Sequence, residues 1–188
     1  MLIANLLGIL VFLFFIWYRL KDDYHYEKIF NLAFLILLGL FLGYFFSKQI
    51  VPQYWFWSEL LFMSLAFVVS IKKQKIKFFE GFDALVVSLL PILGLTFFGD
   101  SIKKSSLILF VEFWIILILV FLFFFFDSQY RRFSWYKSGR VGFSGVVIAI
   151  LFFLSKMFFS FSNIDLYLSG TFAFTFLLVL YRLARRKE

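Results

Sequence analysis

Polar positions punctuate this chain and apolar ones fill it. Seven uninterrupted apolar segments stand out, running Leu2 to Tyr18, Ile29 to Phe46, Tyr54 to Ile71, Phe78 to Phe98, Leu107 to Phe126, Val141 to Phe159 and Leu166 to Leu183. Each is close to the ~20 residues that cross ~30 Å of hydrocarbon at ~1.5 Å per helical residue. None alternates with a period of two, so the pattern predicts helices and disfavours a β-barrel. Short polar connections join them, and none is long enough for a separate soluble domain. The expectation is an all-α, polytopic integral membrane protein of seven transmembrane helices, forming a single domain over residues 1–188.

Composition supports lipid as the solvent. Hydrophobic residues make up 63% and charged residues 16%, against roughly 45–50% and about 25% in soluble domains. The 33 Phe fit that solvent, since a bilayer accepts Phe as readily as Leu; they are expected to face lipid and to fill the packing between helices.

The formal charge of +8 would fit nucleic acid, but its distribution gives it another meaning. Arg19, Lys21 and Lys28 occupy the first connection, and Lys72, Lys73, Lys75 and Lys77 the third. Arg131, Arg132, Lys137 and Arg140 occupy the fifth, and Arg182, Arg185, Arg186 and Lys187 the C-terminal end. Only Lys48, Lys103 and Lys104 fall in the alternate connections, and Lys156 lies inside a segment. The basic excess marks the cytoplasmic side, which predicts an outside N-terminus and a cytoplasmic C-terminus. The charge is a topology signal, and no nucleic-acid partner is expected. The first segment has no basic residues before it and no small-residue cleavage pattern near Tyr18, so it reads as a retained helix and not as a secretory signal. Trp17, Tyr18, Tyr54, Trp55, Trp57, Trp135, Tyr136 and Tyr181 sit at segment ends, as interfacial aromatics do.

Candidate chemistry is sparse. Without cysteine there is no disulfide, thiol nucleophile or thiolate site. The single His, His25, stands in a polar connection as a solvated loop residue, and no metal or cofactor is expected. No nucleotide-binding, serine-hydrolase or zinc-protease motif occurs, and no internal repeat of the kind transporters use. What remains are ionisable residues within apolar segments, which are costly there and mark candidate sites. Glu59 lies ~8 Å into the third segment by helical rise. Glu112 is at similar depth in the fifth, Lys156 approaches the end of the sixth, and Asp100 closes the fourth. The predicted topology gathers all four in the outer half. Two readings stay open: Lys156 snorkels and pairs with a carboxylate to orient helices, or the four line an outward-facing polar cavity that holds a lipid headgroup or a peptide. Glu80 and Asp83 stand at the start of the fourth segment beside Lys75 and Lys77, where a helix N-terminus favours carboxylates; a capping role is expected there.

The stretch from about Tyr54 to Ile102 resembles bacterial prolipoprotein diacylglyceryl transferase. "KKQKIKFFEGFD" is similar to that family's basic turn and Asp, with Asp83 in step. "LLPILGLTFFGDSI" is similar to its proline helix with terminal glycines, with Gly94 and Gly99 in step, and "GFSGVVIAI" to the start of its sixth helix. The resemblance implies seven helices with the N-terminus outside, in the bacterial inner (plasma) membrane, and membrane phospholipid and prolipoprotein as partners. It implies transfer of diacylglyceryl from phosphatidylglycerol to a lipoprotein cysteine if the activity is kept. The departures fall on the motifs. Trp57-Ser58-Glu59 stands where the family has His-Gly-Gly, Phe97 replaces the arginine of the glycine motif, and Asp100-Ser101 replaces its Asn-Phe. The sixth-helix arginine falls near Ser155, one position before Lys156, and Glu112 matches a family glutamate weakly. The chemistry needs cations for the phosphate and a base for the thiol. Trp57 and Phe97 supply neither, so the resemblance implies either an acyltransferase working with an altered site of Glu59, Glu112 and Lys156 or, favoured by this chemistry, a relative that binds lipid or a lipoprotein partner without catalysis. The alternative is a small transporter or membrane-complex subunit unrelated to lipoprotein modification.

Overall fold

A computed structural model describes residues 2–129, 142–160 and 162–185 of the chain. Arg131, Arg132, Lys137, Arg140, Arg186 and Lys187 of the basic connections, the aromatics Trp135 and Tyr136, and Val141, where the sixth segment was predicted to begin, lie outside the described residues.

The described chain is all-helical, with no strand. In order come α1 (Leu2–Leu20), α2 (Tyr26–Ile50), a single 3₁₀ turn (Pro52–Tyr54), α3 (Trp55–Gln74), α4 (Phe78–Lys104), α5 (Leu107–Gln129), α6 (Phe143–Phe158) and α7 (Asn163–Arg185). Five helices (α2, α3 with its preceding turn, α4, α5 and α7) are long and apolar enough to cross a membrane, and α1 and α6 are shorter apolar helices. A helix is what such sequences must form in lipid, because it satisfies every backbone N–H and C=O within its own segment.

The breaks follow from local chemistry. Pro52 forces the preceding residue out of the helical region, and Val51 sits at φ −138°, ψ 66°. α3 ends where Lys75 adopts φ 55° and the Ile76 N–H reaches back to the Ile71 carbonyl, a left-handed helix stop. Ser105, at φ 47°, separates α4 from α5 in the same way, with the Ser106 N–H on the Ser101 carbonyl. Gly142, at φ 84°, precedes α6, and that conformation suits glycine.

The chain divides into two compact units. One comprises Ile16–Gly81. Its centre is the α2–α3 hairpin, where Gly39 and Gly43 let the backbones meet. A Cβ on Gly39 would lie 2.7 Å from the Ala66 side chain and 2.9 Å from the Phe62 carbonyl oxygen. One on Gly43 would lie 2.6 Å from the Glu59 Cα and 3.0 Å from the Ser58 carbonyl oxygen. Small residues four apart, with Ser47 continuing the row, permit this approach where side chains could not fit.

The other unit comprises Met1–Phe15 and Phe82–Glu188. Phenylalanine organises it: Phe153 stacks on Phe172 and on Phe176 at centroid distances of 5.0 and 5.9 Å, and Phe176 packs on Phe82 at 5.4 Å. Phe98 meets Phe113 at 5.0 Å, joining α4 to α5. The expected double use of Phe is visible, with Phe12, Phe123 and Phe143 sealed in the interior and Phe121 81% exposed. Along α5 and α7 most of the surface is outward-facing apolar side chain, which suits lipid.

Candidate functional site

The polar residues within the apolar helices divide into those whose hydrogen bonds are made inside the fold and those whose are not. Asp83 is the fullest case of the first kind. It is 0% exposed, and its two carboxylate oxygens accept from the Gly142 N–H at 2.8 Å and the Gly145 N–H at 2.9 Å. Those amides stand at the beginning of α6, where a helix leaves N–H groups without intrahelical acceptors and presents a positive dipole end. Gly145 is tied to this arrangement, because a Cβ there would lie 2.4 Å from Asp83 Oδ1. The expected capping role therefore needs correction in its location. Asp83 is the sixth residue of α4, beyond the first turn where a carboxylate meets orphan N–H groups. Its side chain caps α6, a helix distant in sequence.

Glu80 stands in the first turn of α4, as expected, but the partners of its carboxylate among the described residues are side chains and not helix N–H groups. Lys77 Nζ donates to Glu80 Oε1 at 3.1 Å, the Tyr24 hydroxyl donates to Glu80 Oε2, and the Lys77 N–H donates to the Tyr24 oxygen at 3.0 Å. This closed set ties the α1–α2 turn to the start of α4. Partial burial pushes the Tyr24 phenol above its ordinary range, with the Glu80 carboxylate adding to it, and Glu80 also raises Lys77. The same turn walls an open cleft of about 510 Å³ whose lining includes Trp17, Lys21, Asp22 and His25. Lys21 Nζ stands 5.1 Å from the centroids of both Trp17 and Tyr18.

The four residues proposed for a polar cavity fall in both units. Glu59 belongs to the unit Ile16–Gly81, half-buried on α3 with its backbone pressed against Gly43. Asp100, Glu112 and Lys156 belong to the other. Asp100, near the end of α4, accepts from Lys104 Nζ at 3.2 Å in an exposed i, i+4 pair. Glu112 is different: it is 7% exposed on α5, and the charge of Lys156, on α6, acts on it. Of the four, Glu112 and Lys156 are the pair on different helices close enough for the charge of one to act on the other.

The positions on which the sequence resemblance is drawn have mostly apolar surroundings. Trp57 packs edge-on to Phe56 at 5.1 Å, and the Ser58 carbonyl is among the groups Gly43 approaches. Phe97 is buried at 4% exposure. A Cβ on Gly94 would lie 3.3 Å from Ile116, whereas one on Gly99 would meet nothing within 4 Å. Gly94 therefore serves the α4–α5 approach, and Gly99 has no packing constraint.

Three buried hydroxyls, on Ser70, Ser144 and Ser169, have no hydrogen-bond partner among the described residues. Sequence reasoning passed over them, since an isolated serine in an apolar run carries no pattern. The adjacent Gly170 is a weak signal of close packing at Ser169. Comparison of the chain with family models, curated proteins and solved structures finds no match.

Proposed function

We propose that the chain is a multi-pass protein of the bacterial inner membrane, crossing it seven times with the N-terminus outside, that binds phospholipid or a lipoprotein partner through Glu112 and Lys156. The observation that carries this reading is Glu112, a carboxylate withdrawn from solvent on the most apolar helix and under the charge of Lys156. A charge in that setting is costly and is held by a function or by a partner. An ammonium and a carboxylate within electrostatic reach of each other suit a headgroup, the first for phosphate and the second for a hydrogen-bond donor.

The resemblance to diacylglyceryl transferase gives this reading its lipid. The replaced motif positions give it its lack of catalysis. With Trp57 in place of an imidazole and Phe97 in place of a guanidinium, no base reaches a thiol and no fork binds the departing phosphate at those positions.

Lipid retained by the purified protein tests the reading. Full-length protein, exchanged through a detergent containing a phospholipid mixture, is washed and its lipid quantified by mass spectrometry. Wild type is expected to hold phospholipid in fixed proportion, and Lys156→Met and Glu112→Gln to lose it. Equal retention by all three would refute the site. Restored lipoprotein modification in cells depleted of their own transferase would refute the absence of catalysis.

A further inference from the structure

The register of three consecutive helices brings another group to the level of Glu112 and Lys156. Phe153 of α6 and Phe172 of α7 stack with their rings 17° from parallel, which fixes how the antiparallel pair lines up. Residues three apart share a helix face. Moving three residues from each ring toward the same end reaches Lys156 on α6 and Ser169 on α7. Gly170 agrees with this alignment, since a Cβ there would stand 3.5 Å from Met157 Sδ. On the other side, Phe126 of α5 packs edge-on to Phe143 of α6 at 6.2 Å. Glu112 lies about four turns from Phe126, and Lys156 about four turns from Phe143, so these two share a level as well.

Ser169 is 0% exposed, and its Oγ has no partner among the described residues. Serines and threonines in helices have a ready outlet, the carbonyl of the preceding turn. This protein uses it repeatedly. Ser88, Ser101 and Ser155 donate to the carbonyl three residues back, and Ser64, Thr96, Thr171 and Thr175 to the one four back. Ser169 does not, although it lies between helical neighbours that offer the same carbonyls. A buried hydroxyl left unpaired is a penalty that calls for a partner. Ser70 and Ser144 are orphaned too. Ser169 differs from them in its place along the helices: it shares its level with Lys156 and Glu112.

We propose that Ser169 is a recognition group of the lipid-binding site: its hydroxyl donates to a phosphate oxygen that Lys156 neutralises, while Glu112 accepts from a donor farther along the same headgroup. The proposal rests on the function proposed above and narrows its ligand to a class. That class is a phosphodiester whose head ends in an N–H or O–H group, such as phosphoethanolamine or phosphoglycerol. A choline headgroup has the phosphate but no donor for Glu112.

The test uses the full chain, washed through an equal mixture of ethanolamine, glycerol and choline phospholipids, with retained lipid quantified by mass spectrometry. Wild type is expected to enrich the donor-bearing lipids over the choline lipid. Ser169→Ala is expected to retain about fivefold less, the loss of one hydrogen bond of ordinary strength. Its melting temperature should equal or exceed that of wild type, because removing an orphaned hydroxyl leaves nothing unpaired. Ser169→Cys, of similar size and a weaker donor, should fall between. Soluble glycerophosphoethanolamine is added as a competitor in a parallel arm. If it displaces lipid from wild type more readily than from Ser169→Ala, the site takes the headgroup from a soluble source as well; if it does not, lipid is the ligand. Two results would overturn the proposal. Ser169→Ala retaining lipid as wild type does, while Lys156→Met loses it, would leave the site standing without Ser169. No loss in either variant would remove the site itself.

Discussion

Asp83 and Gly145 are shaped around each other, and a double-mutant cycle measures that coupling. Asp83→Ala withdraws the acceptor from two backbone N–H groups held at 2.8 and 2.9 Å in a fully buried position. Each amide left unpaired costs about 1–3 kcal/mol, offset by relief from burying a carboxylate, so the net loss should be about 2–4 kcal/mol. Gly145→Ala places a methyl 2.4 Å from Asp83 Oδ1 and 3.0 Å from the Asp83 Cα. The clash pushes the carboxylate off its donors, and overpacking of this kind costs about 1–3 kcal/mol. The two losses share one mechanism and so should not add. With the Asp83 carboxylate gone, the space for the methyl opens. Ala then exceeds Gly in helix propensity by about 1 kcal/mol, so Gly145→Ala should be close to neutral in the Asp83→Ala background. The expected coupling is therefore of the order of 2 kcal/mol, well above the few tenths seen between independent sites. Thermal unfolding in one detergent, for wild type, both singles and the double, reads it out. If the double loses the sum of the singles, the carboxylate is not what Gly145 makes room for.

Three further outcomes are expected. Gly43→Ala should destabilise the α2–α3 hairpin by about 1–3 kcal/mol, because its methyl would meet the Glu59 backbone at 2.6 Å and backbone cannot rotate away; an unfolding midpoint unchanged in detergent would contradict this. Tyr24 and Lys77 both have raised pKa values, so the stability they contribute is complete below about pH 10 and lost as pH rises further; the difference in melting temperature between wild type and Tyr24→Phe should shrink above pH 10, and a constant difference to pH 11 would refute the linkage. A reporter that folds only in the cytoplasm should be active after Glu188 and silent after Lys48, and the reverse would overturn the proposed orientation.

The positions of the helices were legible because one property, uninterrupted apolarity, determines them in lipid. Their ends were not. The second segment reads as Ile29 to Phe46, yet α2 continues to Ile50 through Ser47, Lys48 and Gln49; the fourth reads to Phe98, yet α4 reaches Lys104. Apolarity marks where hydrocarbon can end, whereas the hydrogen-bond ladder runs on into polar residues until a proline or a left-handed residue such as Ser105 stops it. Asp83 shows a second limit. A carboxylate early in an apolar helix reads as a cap for that helix, because sequence distance is the only distance visible. Its acceptors serve Gly142 and Gly145, and only the packing of α4 against α6 reveals them. Glu112 and Lys156 were legible as costly charges, but their company with Ser169 depends on the Phe153–Phe172 register.

Among the carboxylates in and beside the apolar helices, closed hydrogen bonds mark those that complete the fold. Asp83, Glu80 and Asp100 are all carboxylates in or beside apolar helices, and each has its partners within its own unit: two amides, a tyrosine with a lysine, and a lysine one turn away. Replacing any of them should be felt as lost stability, because the fold is what they complete. Glu112 is deeper than Asp100 and buried on a helix richer in apolar side chains, and Ser169 lies beyond solvent without using the carbonyl its neighbours use. Were Ser169 only a fold-completing group, the cheapest arrangement would turn its hydroxyl back to the preceding turn as Thr171 and Thr175 do. Its unpaired hydroxyl, at the helical level of Lys156 and Glu112, is what the proposed phosphodiester site would present, and on that proposal stability and lipid retention respond in opposite senses to the same substitution.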